Sequence, residues 1–570
     1  MKQDLLRKLI EEHPELLKRG GVFRRSPVHE SAEWLRIVGL PRRTLSLSTT
    51  PDLSPLWAKP AGRMKLWPIQ SAALLEAEAA GGLFAIMPVS TGKTLLAALL
   101  PEALKSERAV ILVPAQLKRK TLEHAWPQLS EHWRLPLDRV TLVSYTELER
   151  APGDVLERLK PDLIIADEAH MLKHKDSART WRFLDYFKKY PATRLCVMSG
   201  TFTKESIEDY AHLIRLALKA CSPLPRDYMT LTEWAEGLDK SDNPRPAGAL
   251  DRLCEDSNHA HDSARNRFAC RLASTPGVVA LASGYTKTPL LIRGRKPALP
   301  SKVAAAVERL RASWEIGNPE APEEAAEEVR DHLEYARYIR QLSLGFYLKF
   351  NWPGGRRDDE WCSARSGWAS SVRHVLRYCR SPDLSSPMLV ANAARRGELA
   401  KEHLASWEAW QAVADRKPPP TVCVWIDDYA VGEAAQWAGS GEGGIVWYEH
   451  VPLGEAIAKA LGIRQPDNAA DIPLDGSRLV LSLHRFRQGV DGLQGHHHRA
   501  LYTSIPNAEW LEQSLGRVHR EGQTKRVTAE LLLPVPESAE YLEEVKEQAR
   551  YMQESGFGHQ KILNCEMEAL

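Results

Sequence analysis

Two adjacent carboxylates at the end of an apolar run are the residues in this chain best suited to chemistry. Asp167 and Glu168 directly follow four apolar residues, 163–166. A short apolar run is typical of a buried parallel strand, and open α/β sheets bind ligands at the carboxyl ends of their strands. A magnesium–nucleotide site needs one carboxylate for the metal and another to orient the attacking water. The pair therefore indicates such a site if the other parts of one accompany it.

A second stretch, residues 83–100, has the order strand, loop, helix that a phosphate-binding loop requires. Its loop ends in Ser90, Thr91, Gly92, Lys93 and Thr94. Backbone N–H groups of such a loop, with the helix N-terminus, favour phosphates. The lysine would reach the β- and γ-phosphates, and the threonine hydroxyl would hold Mg²⁺. The stretch predicts bound ATP and Mg²⁺, although a methionine, Met87, stands where the usual pattern has its first glycine.

Gln70 lies shortly before this loop, ahead of a helical stretch rich in Ala, Leu and Glu. Its amide offers one acceptor and two donors, which suits the edge of adenine. The position before the phosphate loop favours this role over that of an ordinary surface glutamine.

The run 512–523 contains two arginines that could act on the same phosphates. Arg517 and Arg520 are three residues apart and share one face if the run is helical. Guanidinium groups at the edge of a lobe could reach the γ-phosphate as arginine fingers.

An earlier glycine-rich loop holds Gly489 and Asp491 and could approach both a nucleic-acid backbone and a nucleotide. On local evidence, a plain surface turn fits that loop equally well.

Further apolar runs predict the strands that would position these residues. In a first lobe the runs are 83–86, 109–113, 141–145, 163–166 and 195–198, and in a second lobe 421–426, 443–448, 478–483 and 500–502. The turn Ser199-Gly200-Thr201 could hydrogen-bond the acid motif and touch the partner lobe, although without the other motifs an ordinary strand-to-loop exit would be preferred. Strand signals thin out between these groups, and helical periodicity replaces them. The fold class predicted is α/β, with two doubly wound lobes and a large, mainly helical insertion between them.

At 570 residues the chain is too long for one core. The predicted units are an N-terminal extension (1–60), a first lobe (61–215), the helical insertion (216–415), a second lobe (416–535) and a C-terminal helical tail (536–570). A short amphipathic helix is expected over 2–18. The dense tryptophans of the insertion could stack bases, but core tryptophans of a helical domain are the preferred interpretation.

Composition limits the partners and the compartment. The formal net charge is only +2, so a nucleic acid would have to meet local basic patches. The basic run 115–120 at a strand end could track a phosphodiester backbone, although a solvated charge cluster is preferred on local evidence.

The three histidines 496–498 would alternate faces on an extended chain, which argues against one shared metal ion.

The eight cysteines are scattered and include no Cys-x-x-Cys pair. This argues against a zinc ribbon and a disulfide framework and favours a reducing cytosol. Early acids and the lack of a long apolar run predict no signal peptide, and no stretch has the apolar length of a membrane span. A cytoplasmic protein without a membrane partner is therefore expected.

Taken together, these motifs resemble those of superfamily 2 helicases, and most closely those of SWI/SNF-type DNA translocases. The most specific marks are the DEAH box at 167–170 followed by Met-Leu-Lys-His, Ser199-Gly200-Thr201, and the run 513–523 around the two arginines. The middle block looks like that of bacteriophage-encoded relatives. The resemblance covers most of 61–215 and 420–530. It implies two RecA-like lobes, ATP and Mg²⁺ at their cleft, and DNA, preferably duplex, across both.

Carried over by position, the resemblance implies a role for each site residue. Gln70 would read adenine, Lys93 and Thr94 would hold phosphates and Mg²⁺, Asp167 the metal, and Glu168 the attacking water. Gly489 and Asp491 would couple DNA to the nucleotide, and Arg517 and Arg520 would be the fingers. The function expected is that of an ATP-dependent translocase moving on DNA.

Two other functions fit the same residues. One is a strand-separating helicase acting on DNA or RNA, but no aromatic wedge hairpin is evident around 489–502. The other is a nucleotide-gated clamp with little turnover, which the intact Lys93, Glu168 and Arg520 argue against. No motif indicates a protein partner.

Overall fold

The structure is a computed structural model that describes residues 26–88, 91–150, 154–175, 177–203, 205–239, 245–254, 263–280, 288–317, 327–329, 331–355, 357–378, 384, 387–416 and 419–568. The helix expected over 2–18 lies outside these ranges. In chain order, the strands are β1 Leu83–Ile86, β2 Ala109–Val113, β3 Val140–Ser144, β4 Leu163–Asp167, β5 Arg194–Ser199, β6 Val278–Ala280, β7 Leu290–Arg295, β8 Glu315–Ile316, β9 Glu327–Glu328, β10 Phe346–Phe350, β11 Thr421–Trp425, β12 Ile445–Tyr448, β13 Leu479–Ser482, β14 Arg499–Tyr502, β15 Val527–Leu532 and β16 Glu566–Glu568.

The α-helices are α1 Ala32–Val38, α2 Ser54–Trp57, α3 Pro68–Ala80, α4 Lys93–Ala103, α5 Ala115–Lys120, α6 Trp126–His132, α7 Tyr145–Glu149, α8 Val155–Leu159, α9 Ala178–Lys189, α10 Ala211–Leu218, α11 Tyr228–Leu238, α12 Ala264–Ala273, α13 Ser301–Ser313, α14 His332–Leu342, α15 Asp359–Tyr378, α16 Pro387–Arg395, α17 Lys401–Gln411, α18 Tyr429–Gly439, α19 Val451–Leu461, α20 Leu483–Phe486, α21 Ala508–Val518 and α22 Pro536–Glu554.

Two six-stranded sheets organise these elements. Sheet 1 has the strand order β3-β2-β4-β5-β1-β6, and sheet 2 the order β13-β12-β14-β15-β7-β16. Neighbouring strands within each sheet are parallel. The α/β class is therefore confirmed. The five apolar runs predicted as strands of the first lobe lie in sheet 1.

Sheet 1 is covered on both faces, which explains why its strands are continuously apolar. Along β4, Ile164 and Ala166 belong to one hydrophobic cluster, whereas Leu163 and Ile165 belong to another. Successive side chains of a strand point to opposite faces, so each cluster covers one face. The first cluster continues into sheet 2 through residues such as Trp447, and the two lobes therefore share apolar contacts.

Two strands lie within the residues that were expected to form the helical insertion. The strand β6, predicted as part of the insertion, pairs with β1 at the edge of sheet 1, and β7 pairs with β15 and β16 inside sheet 2. The 216–415 boundaries stay a prediction, although β6 and β7 lie within them and belong to the two sheets; the segment α13–α17 is mainly helical. The short runs of β6 and β7 become strands by pairing with distant partners, which periodicity within a window does not detect.

Two further elements differ from expectation. The run 421–426 was predicted as a strand of the second lobe, but β11 pairs antiparallel with β10 outside sheet 2. The C-terminal tail consists of α22, a short 3-10 turn at Lys561–Leu563 and β16, which joins the edge of sheet 2 beside β7. In both cases the partner strand is remote in sequence, so the local pattern could not identify the sheet.

The tryptophans of the helical segment form small cores, as the preferred interpretation held. Trp361 is buried and lies 6.1 Å from Trp410, measured between ring centroids. Trp368 and Trp407, on α15 and α17, are 4.8 Å apart. These contacts occupy the rings within the helical segment.

The described residues include one disulfide, between Cys254 and Cys270, which the scattered cysteine pattern did not predict. None of the helices in the described part of the chain has both the length and the apolar character needed to cross a bilayer.

The C-terminal helix of the second lobe crosses to the first lobe. The Tyr551 hydroxyl of α22 donates to Oδ1 of Asp239, 2.6 Å away, at the end of α11. Just beyond α22, the buried Phe557 meets the ring of Tyr210 edge-on at 5.1 Å. These contacts hold the lobes together on the side of the C-terminus.

The burial of Asp239 at this contact predicts a pH-dependent free energy of unfolding. Burial raises the pKa of Asp239 from 3.8 to about 6, so ionisation costs the folded state more than the unfolded one. The contribution of protonated Asp239 to the free energy of unfolding is complete below pH 3.8. It is lost as the pH rises to about 6, by on the order of 3 kcal/mol. We expect Asp239→Asn to be more stable than wild type at pH 8 and to lose this slope, as measured by urea unfolding between pH 4 and 8. An unchanged slope in the variant would contradict the assignment.

Candidate active site

The predicted phosphate-binding loop leads from β1 into α4. Gly92 precedes the helix with φ +73°, a left-handed conformation that glycine adopts without strain. Lys93 is the first residue of α4, and its side chain is 8% exposed. Its Nζ lies 3.1 Å from Oε1 of Glu168 and donates to the carbonyl of Met87 at 3.2 Å. The loop and the acid motif therefore meet through an ion pair. Ser90 lies outside the described residues.

Gln70 braces this loop from inside. Its Oε1 accepts from the N–H of Trp67 at 2.8 Å, while its Nε2 donates to the carbonyls of Thr91 and Gly92 at 3.3 and 3.1 Å. A Cβ on Gly92 would come within 2.1 Å of that Nε2. The Gln70 amide, which was expected to read adenine, is thus hydrogen-bonded to the loop backbone. Adenine recognition remains a prediction, and it requires the amide to exchange these hydrogen bonds for bonds to the base.

The two acids end β4 as expected. Asp167 is the last residue of the strand and is buried, and its Oδ1 accepts from the N–H of Glu168 at 3.0 Å. Glu168 adopts φ +52°, which costs a residue with a side chain about 1–3 kcal/mol. The Tyr145 hydroxyl, from the adjacent lobe-1 helix α7, donates to the Asp167 carbonyl at 2.7 Å and so helps to hold this strained turn.

Burial and neighbouring charge push the two carboxyl groups in opposite directions. Burial, with the adjacent Glu168 charge, raises the pKa of Asp167 to about 6. Burial also acts to raise the pKa of Glu168, but Lys93 and His170 outweigh it and lower that pKa well below its usual range. Glu168 is therefore the carboxylate that remains ionised beside Lys93.

His170 connects the acid motif to the second lobe, a role that the sequence analysis did not assign. Its Nδ1 lies 3.1 Å from Oγ of Ser199 and 3.3 Å from Oε2 of Glu168. Its Nε2 faces the second lobe, 3.5 Å from both Oε1 of Glu509 and Nε2 of Gln488. The predicted contact of the Ser199 turn with the acid motif is confirmed. The position of His170 in the DEAH box, two residues after Glu168, is the sequence feature that could have indicated this role.

Polar residues of the second lobe continue this connection. Nε2 of Gln488 donates to Oε1 of Gln513 at 3.1 Å, and Lys173 of lobe 1 lies 3.6 Å from Glu509. A narrow cavity beside Glu168 is lined by Pro88, Gly200 and Thr201 from lobe 1 and by Glu512, Gln513, Phe557, His559 and Gln560 from lobe 2. The cleft between the lobes is therefore polar, and the C-terminal segment forms part of its wall.

Arg517 and Arg520 lie at this side of the second lobe in different environments. Arg517 is buried on α21 and donates to the carbonyls of Arg487 and Val490 at 2.9 and 2.8 Å. Burial lowers the pKa of Arg517 to about 10, against the raising attraction of Asp491 and, more weakly, of Glu168. Arg520 donates to Oδ1 of Asp491 at 2.8 Å. Among the described residues, neither arginine contacts Lys93 or Glu168.

The loop with Gly489 and Asp491 touches lobe 1. Lys120 of α5 donates to the Gly489 carbonyl at 2.8 Å and also pairs with Asp491. Gly489 adopts φ +79°, a left-handed conformation that favours glycine, and it lies beside the Leu117 side chain. Within the basic run 115–120, Lys118 pairs with Glu147 and Lys120 with Asp491, whereas Arg119 is 84% exposed, so the run is solvated only in part.

The predicted Mg²⁺ ligands have the right chemistry for that ion. Thr94 is half-buried in the first turn of α4, next to Lys93, and Asp167 ends β4. A hydroxyl and a carboxylate are hard oxygen ligands that Mg²⁺ accepts together with water and substrate phosphates. Within the described residues, no cluster of three or more His, Cys, Asp or Glu side chains is arranged to hold a metal by itself.

Lys93 provides the most direct test of the loop. We expect Lys93→Ala to weaken ATP binding about 10- to 100-fold, because a charge-assisted contact to phosphate is lost. Isothermal titration calorimetry with a non-hydrolysable ATP analogue measures this, and a melting curve records the effect of losing the Glu168 ion pair. Lys459→Ala, an exposed lysine of α19, is the control. Wild-type affinity in Lys93→Ala would contradict the assignment.

No protein-family model matches this chain, and no curated protein matches it either.

Proposed function

We propose that this chain is an ATP-dependent motor that hydrolyses ATP in the cleft between two RecA-like lobes while moving on DNA. The observation that carries the proposal is the convergence of groups from both sheets on one cleft. Lys93 and Glu168 come from sheet 1, and His170 joins them to Glu509 and Gln488 of the second lobe. A site shared by two lobes can change when the lobes move, which is what a motor requires.

The ion pair between Lys93 and Glu168 supports phosphate binding. In the structure the carboxylate neutralises the buried ammonium at 3.1 Å. A γ-phosphate would supply that negative charge instead and release Glu168 to orient a water molecule for attack. Thr94 and Asp167 would hold Mg²⁺, which when bound neutralises charge on the phosphates.

The arginines supply the part of the site that depends on lobe movement. Arg520 is partly exposed and rests on Asp491, which also pairs with Lys120 of the first lobe. When ATP draws the lobes together, its guanidinium can exchange this carboxylate for the charge that develops on the transferred phosphoryl group. Arg517 is held by two carbonyls and would position the loop that carries Asp491.

DNA is proposed as the track because the contact between Lys120 and Asp491 lies where the lobes meet. A DNA phosphate would compete with Asp491 for Lys120. Binding of DNA could therefore change the position of the Asp491 carboxylate, which also pairs with Arg520. Backbone contacts of this kind carry no sequence information, and a modest salt dependence is expected from few phosphate contacts.

The first experiment compares ATPase activity with duplex DNA, single-stranded DNA and RNA. Duplex DNA is expected to stimulate hydrolysis most. A lack of stimulation by any nucleic acid, with ATP still bound, would favour the nucleotide-gated clamp instead.

The second experiment decides between translocation and strand separation. Displacement of the third strand of a triplex, run beside unwinding of a forked duplex, tests movement without and with strand opening. We expect triplex displacement and little unwinding. Robust unwinding without triplex displacement would reject the translocase and favour the helicase.

A further inference from the structure

We propose that a second pocket, on the side of lobe 1 formed by α9, α10 and α11, binds one nucleotide unit: a phosphate together with its base. This basic pocket encloses about 470 Å³, within the range of pockets that hold small ligands. Its charged and aromatic lining consists mainly of Lys175, Lys188, Arg215, Arg226, Trp181 and Tyr228. It shares no lining residue with the cleft cavity, and the proposal does not rest on the function assigned to the cleft.

The charges of the basic pocket favour an anion. Four cationic side chains line it against one acid, Asp185, which already pairs with Lys189 at 2.9 Å. Lys188 is exposed at the end of α9 and makes no ion pair with any residue that the structure describes. Because Glu33 already holds Arg226, the exposed ammonium of Lys188 is the charge most available to an incoming phosphate, and lysine and arginine are the usual partners of phosphate.

Arg226 and Arg215 give part of this charge a fixed position. The guanidinium of Arg226 lies 3.2 Å from Glu33, and its backbone carbonyl accepts from Arg215. Arg215 is partly buried. A phosphate entering here would meet side chains whose orientation is already restricted, which lowers the entropy lost on binding.

The aromatic residues favour a base beside the phosphate. Tyr228 is 65% exposed at the start of α11, and Trp181 lies on the pocket wall with Leu184 and Leu231. In the described part of the chain no other ring stacks on Tyr228 or Trp181. A π-face next to basic groups suits a nucleobase carried on a phosphate, since stacking tolerates every base. Inorganic phosphate would leave these rings unused.

The same chemistry could come from a free nucleotide or from one nucleotide of a strand. Photocrosslinking with two probes separates these sources: 8-azido-AMP and a ten-nucleotide oligo(dT) carrying 5-iodouracil. Peptide mapping after irradiation locates the labelled residue, and titration of the label on the Trp181 peptide gives an apparent affinity. Label at Trp181 or Tyr228 from 8-azido-AMP alone supports a free nucleotide, and label from the oligonucleotide supports a strand.

Two variants test the basic pocket itself. Tyr228→Ala and Lys188→Glu are each expected to weaken labelling of the Trp181 peptide about tenfold. Lys459→Glu is the matched control, because Lys459 is also an exposed lysine in the last turn of a helix, and it should leave labelling unchanged. Absence of label from both peptides, or equal labelling in both variants and wild type, would overturn the proposal. Displacement by poly-glutamate as effective as by AMP would also overturn it, since it would indicate an anion site without base recognition.

Discussion

Replacing Glu168 with glutamine is expected to leave ATP bound and to lower its turnover about 10²- to 10⁴-fold. The amide keeps the size of the side chain but cannot accept a proton from water. The structure adds a reason for retained binding. Glu168 balances Lys93 at 3.1 Å when no phosphate is near, so its neutral replacement leaves the lysine free to bind the phosphates. Single-turnover hydrolysis, measured beside the affinity for a non-hydrolysable analogue, separates the two effects.

Glu131→Gln provides the matched control for this variant. Glu131 is exposed on α6 of the same lobe, so its change alters net charge equally without touching the cleft. If Glu168→Gln hydrolyses ATP at the wild-type rate while the control behaves normally, another group must orient the water, and the assignment of Glu168 is wrong.

Arg520→Ala is expected to bind ATP nearly normally and to lower kcat on the order of 10³-fold. A finger acts on charge that develops in the transition state, so its loss affects kcat more than nucleotide affinity. The structure supports normal folding of the variant, because Arg520 makes a partly exposed ion pair with Asp491. Measurement of kcat and nucleotide Kd on one preparation tests the prediction.

Arg464→Ala serves as its control, since Arg464 is 90% exposed and pairs with Asp467 on the surface. A nucleotide-affinity loss without a change in kcat would make Arg520 a ground-state ligand and reject its role as a finger.

Arg517→Ala should differ from Arg520→Ala and Arg464→Ala by lowering the melting temperature. The buried Arg517 guanidinium donates to two carbonyls that would otherwise lose their partner.

The sequence by itself determined the elements whose signal is local. The strands of sheet 1 at 83–86 and 163–167 are buried on both faces, so each appears as an uninterrupted apolar run. The loop before Lys93 and the turn at Glu168 could also be located from the sequence, because a glycine–lysine pair follows the first strand after a short loop and the acids end the second. The approach of Lys93 to Glu168 then follows from parallel strands that end at one edge.

Only the tertiary structure decided which distant segments complete each sheet and what the polar groups contact. The strands β6, β7 and β16 lie at sheet positions set by partners far away in sequence, so the lobe boundaries could not be found from periodicity. Gln70 was predicted from the chemistry of its amide, yet the loop backbone takes up that amide. His170 acquires its role because two lobes place Ser199 and Glu509 on opposite sides of one ring. A residue's type specifies what it can bond, but the partner it finds depends on long-range packing that no local window contains.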